Sequence, residues 1–379
     1  DSVYGELYIP IFGADNAMPG FERLELNAAV RHDKYSDVGS TTNPKFGINW
    51  QPVRWAKLRA SYGTSFRAPT IPEIYGNSNN IFGQSYQNPA GGAPLQGYAL
   101  SGPNLDLKPE TATTWSIGAD FDPLPNLRFG ITYWDVKYEN QVLANLSNLT
   151  ILGNEAEYAG TDIILRGAAA AARVQELLAQ GVALAGGSFP GGDPANVTLF
   201  VDGRSQNLGV SVTRGIDFTG TWNTRLGAKD ALTVNISGTY LTKYNVAVTP
   251  AAPLVDRRNV IFNPLKLKAR ASVTWDHGPF SARVLATHVG GYRNNLSRPV
   301  QSVKSYTPVD LTLNWKVGDQ QADGFFEKGL VLGLEGRNMF DIAPPYVNLA
   351  PNGNGGGGYD ATASDPIGRL FAVSVRKSF

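Results

Sequence analysis

Apolar and polar residues alternate through most of the chain. In LRASYGTSFR, residues 58–67, Leu58, Ala60, Tyr62, Thr64 and Phe66 fall on one face, and Arg59, Ser61, Gly63, Ser65 and Arg67 on the other. A period of two is that of a β-strand. Pro69 and Pro72 then end it, because proline cannot donate to a ladder. The same pattern predicts about thirteen strands. They cover residues 3–9, 21–31, 45–50, 55–67, 111–121, 127–138, 208–222, 231–244, 265–275, 280–292, 306–317, 330–339 and 370–379. Residues 265–275 give the clearest case, with Leu265, Leu267, Ala269, Ala271, Val273 and Trp275 opposed to Lys266, Lys268, Arg270, Ser272 and Thr274. In 127–138 the phase changes at Trp134, Val136 and Tyr138, which predicts a bulge or the end of the spanning part. The longest interruption, 143–205, holds AAAAARVQELLAQ at 168–180, a predicted short helix that stops at Gly181.

Strands this charged on one face cannot lie against a second sheet in a dry core. They suit an antiparallel transmembrane barrel, with lipid against the apolar face and water inside. Connection lengths agree: short ones are expected after Trp50, Phe121, Trp222, Trp275 and Trp315, and longer ones after Arg31, Arg67, Tyr138, Tyr244, Tyr292 and Met339. Short turns at one rim and long loops at the other are the rhythm of bacterial barrels. Strands heading for the short turns end in Trp50, Phe121, Trp222, Trp275, Trp315 and Phe379, while Tyr62, Tyr138, Tyr240, Tyr244 and Tyr292 fall towards the other rim. Amphipathic rings gather at both membrane interfaces.

Composition fits an all-β chain rich in turns: of 379 residues 42 are Gly and 24 Pro, and only 17% are charged. A net charge of +1 gives no electrostatic case for a nucleic-acid partner. Cysteine is absent, which removes disulfides and thiolate chemistry. No apolar run reaches about 18 residues, so no transmembrane helix is available; barrels escape that test. The chain starts at Asp1 without a signal peptide, as expected of a processed chain or a fragment.

Little in the sequence points to catalysis or to a metal or cofactor. His32, His277 and His288 lie far apart, without ligand spacing. The glycine run at 352–358 is followed by no Lys-Ser/Thr and precedes a strand, so it reads as an outer loop rather than a phosphate cradle. No GxSxG elbow occurs, and no enzyme is expected. The inward bases Lys57, Arg59, Arg67, Lys266, Lys268, Arg270, Arg283 and Arg337 form one suggestive set. They either favour anionic cargo or balance carboxylates such as Glu25, Asp217 and Glu335, and balance is the commoner arrangement.

Segments spread over the chain resemble, in order, the second half of a TonB-dependent outer-membrane receptor barrel. They include ERLELNAAVRHDKYSDVG, TNPKFGINWQPVRWAKLRASYGTSFRAPTIPEIY, NLDLKPETATTWSIGADFDP, LRFGITYWDVKYENQV, QNLGVSVTRGIDFTGTW, GLVLGLEGRNMFD and RLFAVSVRKSF. The last also resembles the C-terminal signature that outer-membrane assembly reads. The resemblance implies the C-terminal portion of a 22-stranded barrel, spanning residues 1–379, in the outer membrane of a Gram-negative bacterium. It further implies active import of a ferric siderophore, cobalamin or oligosaccharide, driven by the TonB complex through a plug whose carboxylates are a further match for the inward bases, with lipid and lipopolysaccharide around the wall. No plug or TonB box is found, and about nine strands fewer than in the family. Candidate ligand contacts in the outer loops or lumen are Arg67, Tyr75, Tyr86, Tyr98, Arg293, Tyr346 and Tyr359. A passive porin-like channel or barrel enzyme, and a soluble β-sandwich binding protein, are the alternatives.

Overall fold

The alternating segments build one antiparallel wall in chain order. The computed structural model describes residues 1–36, 38–76, 78–318, 329–349 and 357–378. Its wall strands are β1 (Ser2–Phe12), β2 (Arg23–Tyr35), β3 (Gly39–Val53), β4 (Ala56–Arg67), β5 (Glu110–Leu124), β6 (Leu127–Ala144) and β7 (Ser205–Arg225). They continue as β8 (Asp230–Ala247), β9 (Leu267–His277), β10 (Phe280–Val289), β11 (Val309–Lys316), β12 (Leu330–Arg337) and β13 (Leu370–Lys377). Each pairs with the next, and short Val255–Asp256 beside β8 completes a 14-stranded sheet. The strand order begins at β1 and ends at β13, which are exposed on both faces along nearly their whole length.

Register sorts the two faces. Ile48, Ala60, Ile117, Tyr133, Ile216, Tyr240 and Leu267 lie opposite one another in a row across seven strands. A parallel row holds Asn49, Arg59, Gly118, Thr132, Asp217, Thr239 and Lys268. Alternation puts these rows on opposite faces. The apolar face is bare: Phe46 is 53% exposed, Ile117 56% and Val373 79%. Apolar surface this continuous needs a cover, and in a transmembrane barrel lipid supplies it. The aromatic girdle is present at the short-turn rim, where Phe12, Phe21 and Trp50 follow one another and Trp55, Phe121 and Phe129 do the same. Phe280 stacks on Trp315 farther round.

Several details differ from the expectation. Register runs unbroken past Trp134, from Trp222 opposite Leu127 to Ser211 opposite Tyr138, so β6 carries no bulge there. Trp134, Val136 and Tyr138 simply stand on the inner face. The irregularities lie nearer the outer ends: Leu208 is an extra residue in β7, β6 carries one at 139–140, and Thr242 is the extra residue in β8 opposite Arg214 and Gly215. The connection between β2 and β3 is only 36–38, and that between β11 and β12 is 317–329, so the short–long rhythm is not strict. Leu265 precedes β9 and is buried with the outer loops. Phe379 and residues 352–356 of the glycine run lie outside the described residues.

The outer loops fold upon themselves. Loops 68–109 and 145–204 combine Asn80–Tyr86, Leu95–Ser101, Leu199–Asp202, Ile164–Arg166 and Ala183–Leu184 into a five-stranded sheet. Helix α1 (Ile71–Tyr75) opens the first loop, and α2 (Ala168–Ala179), where helix propensity placed it, covers the sheet. Val174, Leu177, Ile81, Leu100 and Phe200 form its core. The sheet was unforeseen because its strands are short, and Leu199–Asp202 is buried throughout, which erases the two-residue period.

Candidate functional site

The site is the lumen mouth and the loops above it. At its rim, β4 ends in Arg67, whose guanidinium holds two carboxylates. Nη1 donates to Glu73 Oε2 at 3.0 Å, and Nε donates to Glu110. Glu110 is 4% exposed and also accepts from Tyr138 Oη at 2.6 Å and from the Val142 backbone N–H at 2.6 Å. Thr70 N and Oγ1 donate to Glu73 at 2.7 and 3.0 Å, capping α1. The Arg67 guanidinium beside it holds the Glu73 carboxyl below its ordinary range. Arg67 thus ties β5, β6 and α1 together, and its charge is matched by this chain's own acids.

The tyrosines of the first loop divide. Tyr75, at the end of α1, is 54% exposed. Tyr86 is 1% exposed, packed with Ile151, Leu152, Ile163 and Val201, and burial pushes its phenol up. Its burial assigns it to the packing of the loop body. Tyr98 donates to the Ser188 carbonyl at 2.8 Å and lies against Phe189 with ring centroids 5.1 Å apart.

Arg293, Tyr346 and Tyr359 belong to a second loop cluster, built from 248–266, 290–308, 338–349 and 357–369. Its core is Ile261, Leu265, Tyr292, Val303 and Val347. Gln301 ties it together, donating from Nε2 to the Tyr346 carbonyl at 3.0 Å and accepting at Oε1 from Asn348 N at 2.8 Å. Arg293 and Tyr346 are exposed and Tyr359 half-buried. The clusters meet where Thr249 Oγ1 donates to the Glu157 carbonyl at 2.9 Å and Arg257 pairs with the Glu157 carboxylate at 3.3 Å. The seven candidates therefore fall into two groups, Arg67 to Tyr98 and Arg293 to Tyr359.

Down the lumen, only some of the inward bases are balanced by acids. Arg59 pairs with Asp120 at 3.0 Å and Arg337 with Glu335 at 2.7 Å. Arg283 donates to Ser272 Oγ at 3.4 Å. The three histidines stand with the outward rows: His32 beside Thr42, His277 beside Asp230 at the short-turn rim, and His288 beside Thr307. Among the described residues no group of three or more His, Asp or Glu is placed to hold a metal ion.

This architecture has known relatives. The family described as TonB dependent receptor-like, beta-barrel, matches residues 2–339. The chain belongs to that TonB-dependent receptor family. Its structural likenesses agree on the fold. A mutant of the ferric enterobactin receptor of Pseudomonas aeruginosa, solved in complex with enterobactin, superposes with a TM-score of 0.65 at 18% identity, over 100% of this chain and 45% of that one. The siderophore receptor PirA of Acinetobacter baumannii gives a TM-score of 0.57 at 15% identity, over 100% of this chain and 46% of that one. In sequence, the hemin receptor of Yersinia pestis is 32% identical over 123 residues, 31% of this chain and 17% of that protein. The hemoglobin and hemoglobin-haptoglobin-binding protein A of Haemophilus influenzae is 32% identical over 121 residues, 30% of this chain and 10% of that protein. The chain thus spans under half the length of these solved TonB-dependent receptors, and the matches to the curated relatives cover a still smaller share of those proteins.

Proposed function

We propose that this chain forms wall and outer loops of an outer-membrane receptor that imports a scarce, iron-bearing ligand with energy from the TonB complex. Membership of the receptor family over residues 2–339 carries the reading. The bare apolar face and the folded loops over a charged lumen support it; in this reading lipid covers that face, with lipopolysaccharide at its outer margin. Transport rather than chemistry on the ligand is the role such a site suits.

For the ligand, the relatives named for hemin and hemoglobin favour haem. Haem iron takes an axial ligand from His, Cys, Met or Tyr. This chain has no Cys, its three histidines stand outward of the lumen, Met18 lies beside Phe21 at the short-turn rim, and Met339 packs its sulfur over Gly336. Tyr75 and Tyr346 are exposed loop phenols and Tyr98 and Tyr359 half-buried ones, and Arg293 offers a cation for a propionate. Haem held here is gripped by phenol, ring stacking and Arg rather than by imidazole. The same lack of imidazole favours a second reading, a ferric siderophore whose chelate already fills the iron shell. Haem, through its propionates, and a tris-catecholate chelate such as ferric enterobactin are both anionic.

The test places the complete receptor in an iron-starved Gram-negative strain stripped of its own uptake receptors. Growth on haemin, lost when TonB is deleted, is expected. Growth on ferric enterobactin instead selects the siderophore reading. Growth on neither, or growth indifferent to TonB as a passive channel gives, overturns the proposal.

A further inference from the structure

A cavity of about 650 Å³ opens on the inner wall where β7 to β10 meet the loop 338–369. Its charged and hydroxyl lining includes Asp217, Thr239, Lys268, Arg270, Thr287 and Thr362. Lys268 stands opposite Thr239, which stands opposite Asp217; Arg270 stands opposite Thr287. Thr239 Oγ1 donates to Asp217 Oδ1 at 2.7 Å, so a neutral hydroxyl serves that acid. Among the described residues neither Lys268 nor Arg270 makes an ion pair, whereas Arg59, Arg67 and Arg337 on the same inner face do; Lys57, Lys266 and Arg283 share that lack but lie outside this cavity. Two cations face one carboxylate, and a low-dielectric wall concentrates the surplus positive potential.

The roof is fixed in place. Thr362 N and Oγ1 donate to Asp360 Oδ1 at 2.9 and 2.6 Å, and Asp360 is 1% exposed. Lys268 lies one residue from the outer end of β9, so the cavity sits at the lumen mouth, directly below an outer loop. We infer that Lys268 and Arg270 form an anion station on the barrel wall, which takes a carboxylate or similar anionic group of the ligand as it leaves the loops. The threonine hydroxyls serve the ligand's neutral polar atoms. The inference rests on the import reading above and adds to it a second place of contact, below the loops.

Calorimetric titration of citrate into the complete receptor in detergent at low ionic strength tests the station without knowing the cargo. Saturable binding is expected, weakened about tenfold or more in K268Q/R270Q, since a charge-assisted hydrogen bond contributes more than one such factor. K268R/R270K, which keeps both charges, restores binding and shows that the fold is intact. K45Q, an inner-face base on β3, leaves it unchanged. Absence of saturable citrate binding overturns the station, and is the result expected if an acidic segment of the receptor already holds the two bases. Equal weakening in K45Q overturns it too, as diffuse lumen potential. The growth assay reports separately on import: citrate binding without TonB-dependent growth leaves the station and removes the import reading, and the converse does the reverse.

Discussion

Trp134 and Gly215 face each other across β6 and β7, and a Cβ on Gly215 would fall 2.5 Å from Trp134 Cζ2. The inward indole therefore depends on glycine opposite it. Gly215→Val should force the ring from its place, an overpacking that costs about 1–3 kcal/mol. Unfolding of the complete receptor in lipid bilayers measures it. Trp134→Ala in the same chain should recover most of the loss, because the two residues share one volume. A Gly215→Val receptor as stable as the parent would refute the packing described.

The Arg67–Glu73 pair makes a prediction about pH. Glu73 has its carboxyl lowered by Arg67, so the folded loop favours the ionised form. A depressed carboxyl contributes stability that is present above its unfolded pKa and lost as pH falls through the folded one. Protection of the α1 amides against hydrogen exchange, taken relative to the intrinsic exchange rate at each pH, should thus be high at neutral pH and fall on acidification below the ordinary carboxylate range. Glu73→Gln should show the low protection already at neutral pH. Equal protection of α1 in both proteins at pH 7 would mean that the pair does not hold the helix.

Where one face of a strand met lipid and the other water, the sequence was legible. Leu58 to Arg67 alternates because its two environments differ at every residue, and the structure keeps that phase to the last position. The inward turn of Trp134 read as a break in phase because an aromatic was expected to face out. Leu265 alternates correctly, yet it packs in one cluster with Ile261, Tyr292, Val303 and Val347, the last in a loop some eighty residues on, an association no local period encodes. The site was harder to see. Tyr86 and Tyr75 lie in one polar, glycine-rich segment; the fold buries the first and exposes the second. Lys268 and Arg270 were visible as inward bases, but their lack of acidic partners depends on register with β8 and β10.

The loop body built from 68–109 and 145–204 has a core of its own, which predicts that it fails independently of the wall. Val174 is fully buried in α2 against Ile81, Leu100 and Phe200. Val174→Asp puts an unpaired carboxylate there, and burying a charge without a partner is among the costliest single changes. Protease added to intact cells should cut this variant within 145–204 while the parent resists. The barrel of the variant should keep the heat-modifiable gel mobility of the parent. Loss of both properties together would show that loops and wall fold as one unit.

The assignment of faces makes the sharpest prediction, because neighbouring residues must behave oppositely. Val273 stands in the middle of β9, opposite Val234 and Val284, and is 44% exposed on the outward face. Thr274 follows it, opposite Thr233 and Arg283 on the inner face. Val273→Arg sets a guanidinium against acyl chains and should cost about 2–4 kcal/mol near the bilayer midplane. Thr274→Arg meets water and polar neighbours, with Arg283 as its one close like charge, and should cost well under half as much. Leu267, at the outer end of the same strand beside Tyr240, should give an intermediate penalty for Leu267→Arg, since the cost fades towards the interface. Reversible unfolding of the complete receptor in bilayers measures all three. Equal costs for Val273→Arg and Thr274→Arg would place the lipid boundary elsewhere and undo the inside–outside assignment of the wall.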